Sequence, residues 1–105
     1  MAKRKVIWTQ TASIQLRQIL DFWVNHNQSN SYSQKLLNNI EKNLIGIATY
    51  PERSPESIFP ETRVAAMNHY SIYYKVTEKH IVVTAFWDNR QDPVKLYKLL
   101  SGIQR

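Results

Sequence analysis

The chain predicts an α+β domain in which a helical hairpin lies on a small, mostly antiparallel sheet, in the order β-α-α-β-β-β-α. Three features predict it. Two amphipathic stripes at helical spacing follow one another across a short polar interval. Beyond a proline-rich stretch, the second half switches to β-branched and aromatic residues in strand-like alternation. A length of 105 residues suits one core, so a single domain over residues 1–105 must combine the two halves.

Arg4 to Thr9 holds Val6, Ile7 and Trp8, which suit a strand. Thr9 or Thr11 can cap the helix that follows, because a short hydroxyl side chain accepts from the orphan amides of the first turn. Ala12, Leu16, Ile19, Leu20 and Trp23 share one helical stripe, and the polar runs Asn25-His26-Asn27 and Ser29-Asn30-Ser31 end it. A second helix starts near Ser31, with Leu36, Leu37, Ile40, Leu44 and Ile47 on its apolar side and Asn38, Asn39, Glu41 and Lys42 on its wet side. Two such helices joined by about five polar residues turn back as an antiparallel pair.

Pro51, Pro55 and Pro60 make the next stretch a loop, since proline lacks an amide donor and disfavours helix in the residue before it. Arg63 to Met67 is then a short strand. Tyr70 to Thr77 sets Tyr70, Ile72, Tyr74 and Val76 against Ser71, Tyr73 and Lys75. After a tight turn at Glu78-Lys79, His80 to Trp87 is almost continuously apolar, as in a strand covered on both faces. Asp88 to Pro93 is a turn, and Val94 to Ile103 forms a last short helix with Leu96, Leu99, Leu100 and Ile103 on one face.

Composition excludes several function classes. Cysteine is absent, which removes disulfides, thiolate catalysis and sulfur-ligated metals. Only Gly46 and Gly102 are glycine, too few for a phosphate loop or a dinucleotide fingerprint. No apolar run approaches the roughly 18 to 20 residues of a membrane span. Val6-Ile7-Trp8 is too short for a signal-peptide core despite the basic start, so a soluble, cytoplasmic protein with no membrane partner is expected. The net charge is +6 and unevenly placed: +4 over residues 1–35, −1 over 36–70 and +3 over 71–105. That bias favours polyanions, either nucleic acid or an acidic protein, although it also serves solubility alone.

No metal constellation appears, because His26, His69 and His80 are scattered, and neither metal nor cofactor is expected. The interesting set is basic and aromatic: Arg63, His69, Tyr70, Tyr73, Lys75 and Arg90. RNA cleavage without metal needs a base, an acid and cations on the phosphate, which such residues can supply, while aromatic rings stack on bases. Each also has a plainer role. Tyr70 and Tyr74 share the core face of their strand, and Tyr73 and Lys75 its other face. His69 fits a turn, His26 the negative end of a helix dipole, and His80 the start of a strand. Arg63 and Arg90 have Glu61 and Asp88 nearby as partners, and Trp8, Trp23 and Trp87 are simplest as core anchors.

Several segments in this order carry a family resemblance. They are Val-Ile-Trp-Thr with Ala12 to Trp23, a second helix closing on Leu44-Ile-Gly-Ile-Ala-Thr-Tyr-Pro-Glu-Arg-Ser-Pro55, and Arg63-Val64 leading into His69-Tyr70-Ser-Ile-Tyr-Tyr-Lys75-Val76. The apolar strand into Asp88-Asn89-Arg90-Gln91-Asp92-Pro93 completes the set. Nearly end to end, the chain resembles the RelE/ParE superfamily of toxins from bacterial type II toxin–antitoxin modules, which include plasmid-stabilisation systems. The resemblance implies two helices packed on a twisted sheet, and a cognate antitoxin, acidic or partly disordered, that folds onto the toxin and blocks it. ParE-like members bind DNA gyrase and are not nucleases, whereas RelE-like members cut mRNA on the ribosome. The helical hairpin and the Tyr-Pro-Glu-Arg-Ser-Pro loop look more ParE-like, so a gyrase-binding growth inhibitor is the expectation. A ribosome-dependent, metal-independent mRNA endonuclease is the alternative. In that alternative Arg63 and Arg90 would hold phosphate, Lys75 or His69 would act as base, and Tyr73 would stack or donate a proton. The dense basic strands of RelE-like nucleases are matched only loosely by Arg63, Lys75 and Arg90, and no His or Tyr follows Ile81 in its strand.

Overall fold

A computed structural model describes residues 4–102. It contains β1 (Lys5–Trp8), α1 (Gln10–Asn27), α2 (Ser31–Thr49), β2 (Arg63–Met67), β3 (Tyr70–Val76), β4 (His80–Asp88) and α3 (Pro93–Gly102), with one short 3-10 turn at Pro51–Arg53. The expected element order therefore holds. Thr9, rather than Thr11, caps α1: its backbone is extended and its hydroxyl accepts from the Ala12 amide at 3.2 Å. Gln28 ends α1 in the left-handed region at φ 50°, and the helices are joined by Gln28–Asn30 alone, a tighter hairpin than the polar run implied. Ser33 donates across the hairpin to the Leu20 carbonyl at 2.9 Å.

The strands lie in the order β1-β4-β3-β2. Both β2–β3 and β3–β4 are antiparallel. The N-terminal strand adds the one parallel pair, from Lys5 opposite His80 to Trp8 opposite Val83. Between β2 and β3, Asn68 takes a left-handed φ of 58°, a conformation that asparagine tolerates. At the outer edge of β2, Val64 donates to the Pro55 carbonyl at 3.0 Å, so the proline loop shields part of an otherwise open strand.

A β-bulge in β4 shapes the core. Tyr73 lies opposite Ala85 and Tyr74 opposite Val83, which leaves Thr84 unpaired. Side chains alternate between faces, so one extra residue inverts the parity of everything beyond it. Ile81 and Val83 before the bulge, and Phe86 after it, face the helical hairpin. There they pack with Tyr70, Ile72 and Tyr74 and with Ala12, Leu36, Ile40, Leu44 and Ile47. Ala85 and Trp87 face the other way, into a smaller cluster with Phe59, Leu96 and Leu100. The strand is thus covered on both faces only in its second half; Val82 and Thr84 are half-buried.

Trp87 is a core anchor as expected and Trp8 packs against the edge of the main core, whereas Trp23 belongs to neither cluster. Trp87 is buried, but beneath α3 rather than the hairpin. Trp8 and Trp23 are only half-buried. Leu96 and Leu100 anchor α3 while Leu99 remains exposed, and Ile103 falls outside the described residues. Among the described residues no helix is long and apolar enough to cross a membrane.

Candidate functional site

The five candidate residues do not share a surface. Arg63 lies opposite Tyr74 and so on the hairpin face of edge strand β2. Its guanidinium donates to the Ser54 carbonyl at 2.6 Å and the Glu52 carbonyl at 3.4 Å, pinning the proline loop, and makes no ion pair with Glu61. The hollow it lines also holds Glu52, Glu56 and Glu61, carboxylates that repel a phosphate. Lys75 is on the opposite face, in a hollow of about 270 Å³ with Thr9, Thr62 and Thr84. Tyr73, also on that face, meets Phe59 edge-on at 5.7 Å. Burial raises its pKa, which makes the hydroxyl a poorer proton donor.

At the far end of the sheet, His69 is exposed in the β2–β3 turn, and its carbonyl accepts from the Asn89 amide at 2.8 Å. Arg90 grips Asp88 with both ends of its fork, Nε to Oδ1 and Nη2 to Oδ2, each at 2.9 Å. Those bonds hold the Asp88 carboxyl below its usual range, against the opposing effect of its partial burial. Between the Tyr70 end of β3, where His69 and Arg90 sit, and Lys75 runs roughly 16 Å of strand. The structure therefore brings His69 towards Arg90 and leaves Arg63, Lys75 and Tyr73 apart from them. Among the described residues no group of His, Asp or Glu is placed to hold a metal ion.

A larger depression than either of these hollows lies elsewhere, a groove of about 520 Å³ running between α1 and α3 at the edge of the sheet. Phe22 and Trp23 of α1 form one wall, Leu99 and Lys95 of α3 the other, and Phe86 to Asp88 the floor. Phe22 is 56% exposed and stacks on His26 at 5.5 Å. Trp23 donates its indole N–H to the Tyr70 hydroxyl at 3.0 Å, which fixes that wall to the sheet. Such a surface, apolar and aromatic with a few polar groups, suits a protein segment better than a phosphodiester backbone.

Gln15 is the residue that reading the sequence missed. It lies on the buried stripe of α1, three residues after Ala12, where an apolar side chain is the rule. A polar residue in that register was the available signal. Its Oε1 accepts from the backbone amide of Phe86 at 2.9 Å, while its Nε2 is buried and has no partner. An unmet buried donor costs about 1–3 kcal/mol.

A family described as "ParE toxin of type II toxin-antitoxin system, parDE" matches residues 6–93. No curated protein matches the chain in sequence. Among solved structures, the chain is similar to one titled "Chromosomal ParDE TA system from P. aeruginosa", with a TM-score of 0.69 and 18% identity over 80% of this chain and 94% of that one. At that identity the likeness is one of fold.

Proposed function

Because the chain belongs to the ParE toxin family of type II toxin–antitoxin systems, we propose that it arrests bacterial growth by binding DNA gyrase in the cytoplasm, and that a cognate antitoxin neutralises it. The observation that supports this over RNA cleavage is the scatter of Arg63, Lys75, Tyr73, His69 and Arg90. A general base, a general acid and a phosphate clamp act together only when they converge on one scissile bond. Here Arg63 is engaged with loop carbonyls and Arg90 with Asp88. The broad apolar groove, by contrast, is the kind of surface that recognises protein.

Expression in a bacterium tests the proposal. Induction should stop growth, raise the DNA-damage response and leave cleaved DNA, and the purified chain should inhibit gyrase supercoiling. Co-expression of the small protein encoded beside this chain's gene should restore growth. Codon-specific cuts in mRNA that vanish in the Arg63→Ala, Arg90→Ala double variant would replace this reading with the nuclease. Normal growth on induction would remove both.

A further inference from the structure

We infer that the uncovered half of the sheet's outer face, with Lys5 and Lys75 as its principal contacts, binds the phosphate backbone of duplex DNA without reading its sequence. Nothing in the inference depends on the gyrase reading. The sheet has two covers, the hairpin on one face and α3 on the other, and the second is short. With Phe59, α3 covers Ala85 and Trp87 at one end. The other end is open. Val6, Ile81 and Val83 pack towards the hairpin, so their neighbours Lys5, Ile7, His80 and Val82 face outwards. Lys75 joins them from β3, opposite Val82. Lys5 is exposed, and Ile7 is 44% exposed.

The fold sorts charge between the two faces. Glu52, Glu56 and Glu61 line the hollow beside Arg63, on the hairpin side of β2. The strand residues of the open half-face include no carboxylate. Arg4 and Lys79 add charge at its end, where Arg4 Nε donates to the Thr77 carbonyl at 2.8 Å and the Lys5 amide to the Lys79 carbonyl at 3.1 Å. Glu78 is the one acidic residue of that turn. Among the described residues, Arg4, Lys5, Lys75 and Lys79 have no carboxylate partner. The first turn of α1, whose Gln10 and Thr11 border the hollow of Lys75, has no acidic residue either. This is not the set that the sequence suggests, because Arg63 and Arg90 lie elsewhere and are already engaged.

Charge complementarity and shape identify the occupant. Lys5 and Lys75 are two strands and two residues apart, roughly 12 Å between backbones. Long, mobile lysine stems can span that distance to the phosphates of a duplex, which carries one charge for about every 1.7 Å of its axis. Ammonium groups that the fold leaves unpaired are free to replace the counterions that DNA holds. Single-stranded nucleic acid is held instead on exposed aromatic rings, and this half-face offers none: Tyr73 packs against Phe59, and Trp8 faces the hairpin. An inserted protein segment needs apolar pockets, whereas the floor here is only Ile7 and Val82. Base readout needs forked or amide side chains at the base edges. Lysines act as point charges, so the contact stays on the backbone.

The test is fluorescence anisotropy of the full-length chain with a short labelled duplex of random sequence, titrated at several salt concentrations without gyrase. Binding should be micromolar or weaker near physiological salt and tighten steeply as salt falls. The Lys5→Gln, Lys75→Gln double variant should bind about tenfold more weakly at low salt and lower the slope of log Kd against log salt by about 2. Lys5→Gln alone, at an exposed edge-strand position, should lower the slope by about 1 even if a change at Lys75 disturbs the fold. Lys35→Gln, Lys42→Gln removes the same charge from exposed positions on α2 and should change the affinity less than about twofold. Equal losses in the two double variants would overturn the inference by spreading the attraction over the whole chain. So would absence of binding at low salt, or tighter binding of a single strand of the same length. A Lys5, Lys75 variant that keeps its DNA affinity but loses the protein encoded beside the gene would overturn it too, by giving the face to a protein partner. With gyrase absent from the assay, each of these failures leaves growth arrest and gyrase inhibition standing or falling on their own measurements.

Discussion

Gly46 lies within α2, with the guanidinium of Arg53 against it: a methyl added there would meet Arg53 Nη1 at 2.9 Å. That neighbour is the far end of a flexible side chain and can move aside. Helix interiors favour alanine over glycine by about 0.8–1 kcal/mol, so Gly46→Ala should raise stability by about 0.5–1 kcal/mol in a urea titration. A loss would mean that Arg53 is held in place. Asp88 makes the second local prediction. Its folded pKa is lowered by Arg90, so the pair contributes stability that is present above about pH 4 and is lost as the pH falls through the lowered value. Arg90 is half-exposed and screened, so Arg90→Gln should cost less than about 1 kcal/mol near pH 6. The gap to the native chain should close in acid, and a gap constant from pH 6 to pH 2 would refute the linkage. At this level the sequence was legible where a residue's role is local. Thr9 as a cap and Asp88 as the partner of Arg90 both lie within a few positions of what they bind. The Arg63 contacts to Ser54 and Glu52 were not legible, because they depend on a loop folding back over β2.

Secondary structure was largely written in periodicity. The boundaries of α2, β2 and β3 follow directly from apolar spacing and turn chemistry. Two properties of the strands had no such signal. The parallel pairing of β1 is a choice of neighbour among distant segments, to which alternation is blind. The bulge at Thr84 hides inside an almost continuously apolar run, which has no apolar-polar alternation for an extra residue to interrupt. Yet the bulge sends Phe86 to one cluster and Trp87 to the other. Deleting Thr84 should therefore leave Val83 opposite Tyr74 and Ala85 opposite Tyr73 in a regular ladder with Phe86 and Trp87 on their present faces, cost about 0.5–1.5 kcal/mol for the lost Thr84 hydroxyl bond to the Tyr73 carbonyl, and keep a sharp thermal transition by near-UV circular dichroism. Loss of the cooperative transition would show that the bend at the bulge, and not register alone, holds the two clusters together.

The charge of the assembled chain makes its own prediction. With +6 spread over the two ends of the sequence, association with an acidic antitoxin should be steered electrostatically. The association rate should fall severalfold between low and physiological salt, with a smaller change in dissociation. Stopped-flow mixing at several ionic strengths checks it, and a rate indifferent to salt would assign the positive charge to solubility. The same charge count invited a single cationic surface for nucleic acid. The folded chain instead puts Arg63, Lys75 and Arg90 in three separate depressions.

Apolar spacing, a capping threonine, clustered prolines and net charge are properties of short stretches of chain. They were enough to establish the elements, their order, the inward-facing side of α2 and β3, and the family likeness. Which residues meet is a matter of strand order, register and one unpaired threonine, and these are set by packing among segments tens of residues apart. That is why Gln15, Phe86 and Leu99 come to border one groove although no spacing joins them, and why the basic residues that looked like a set do not form one.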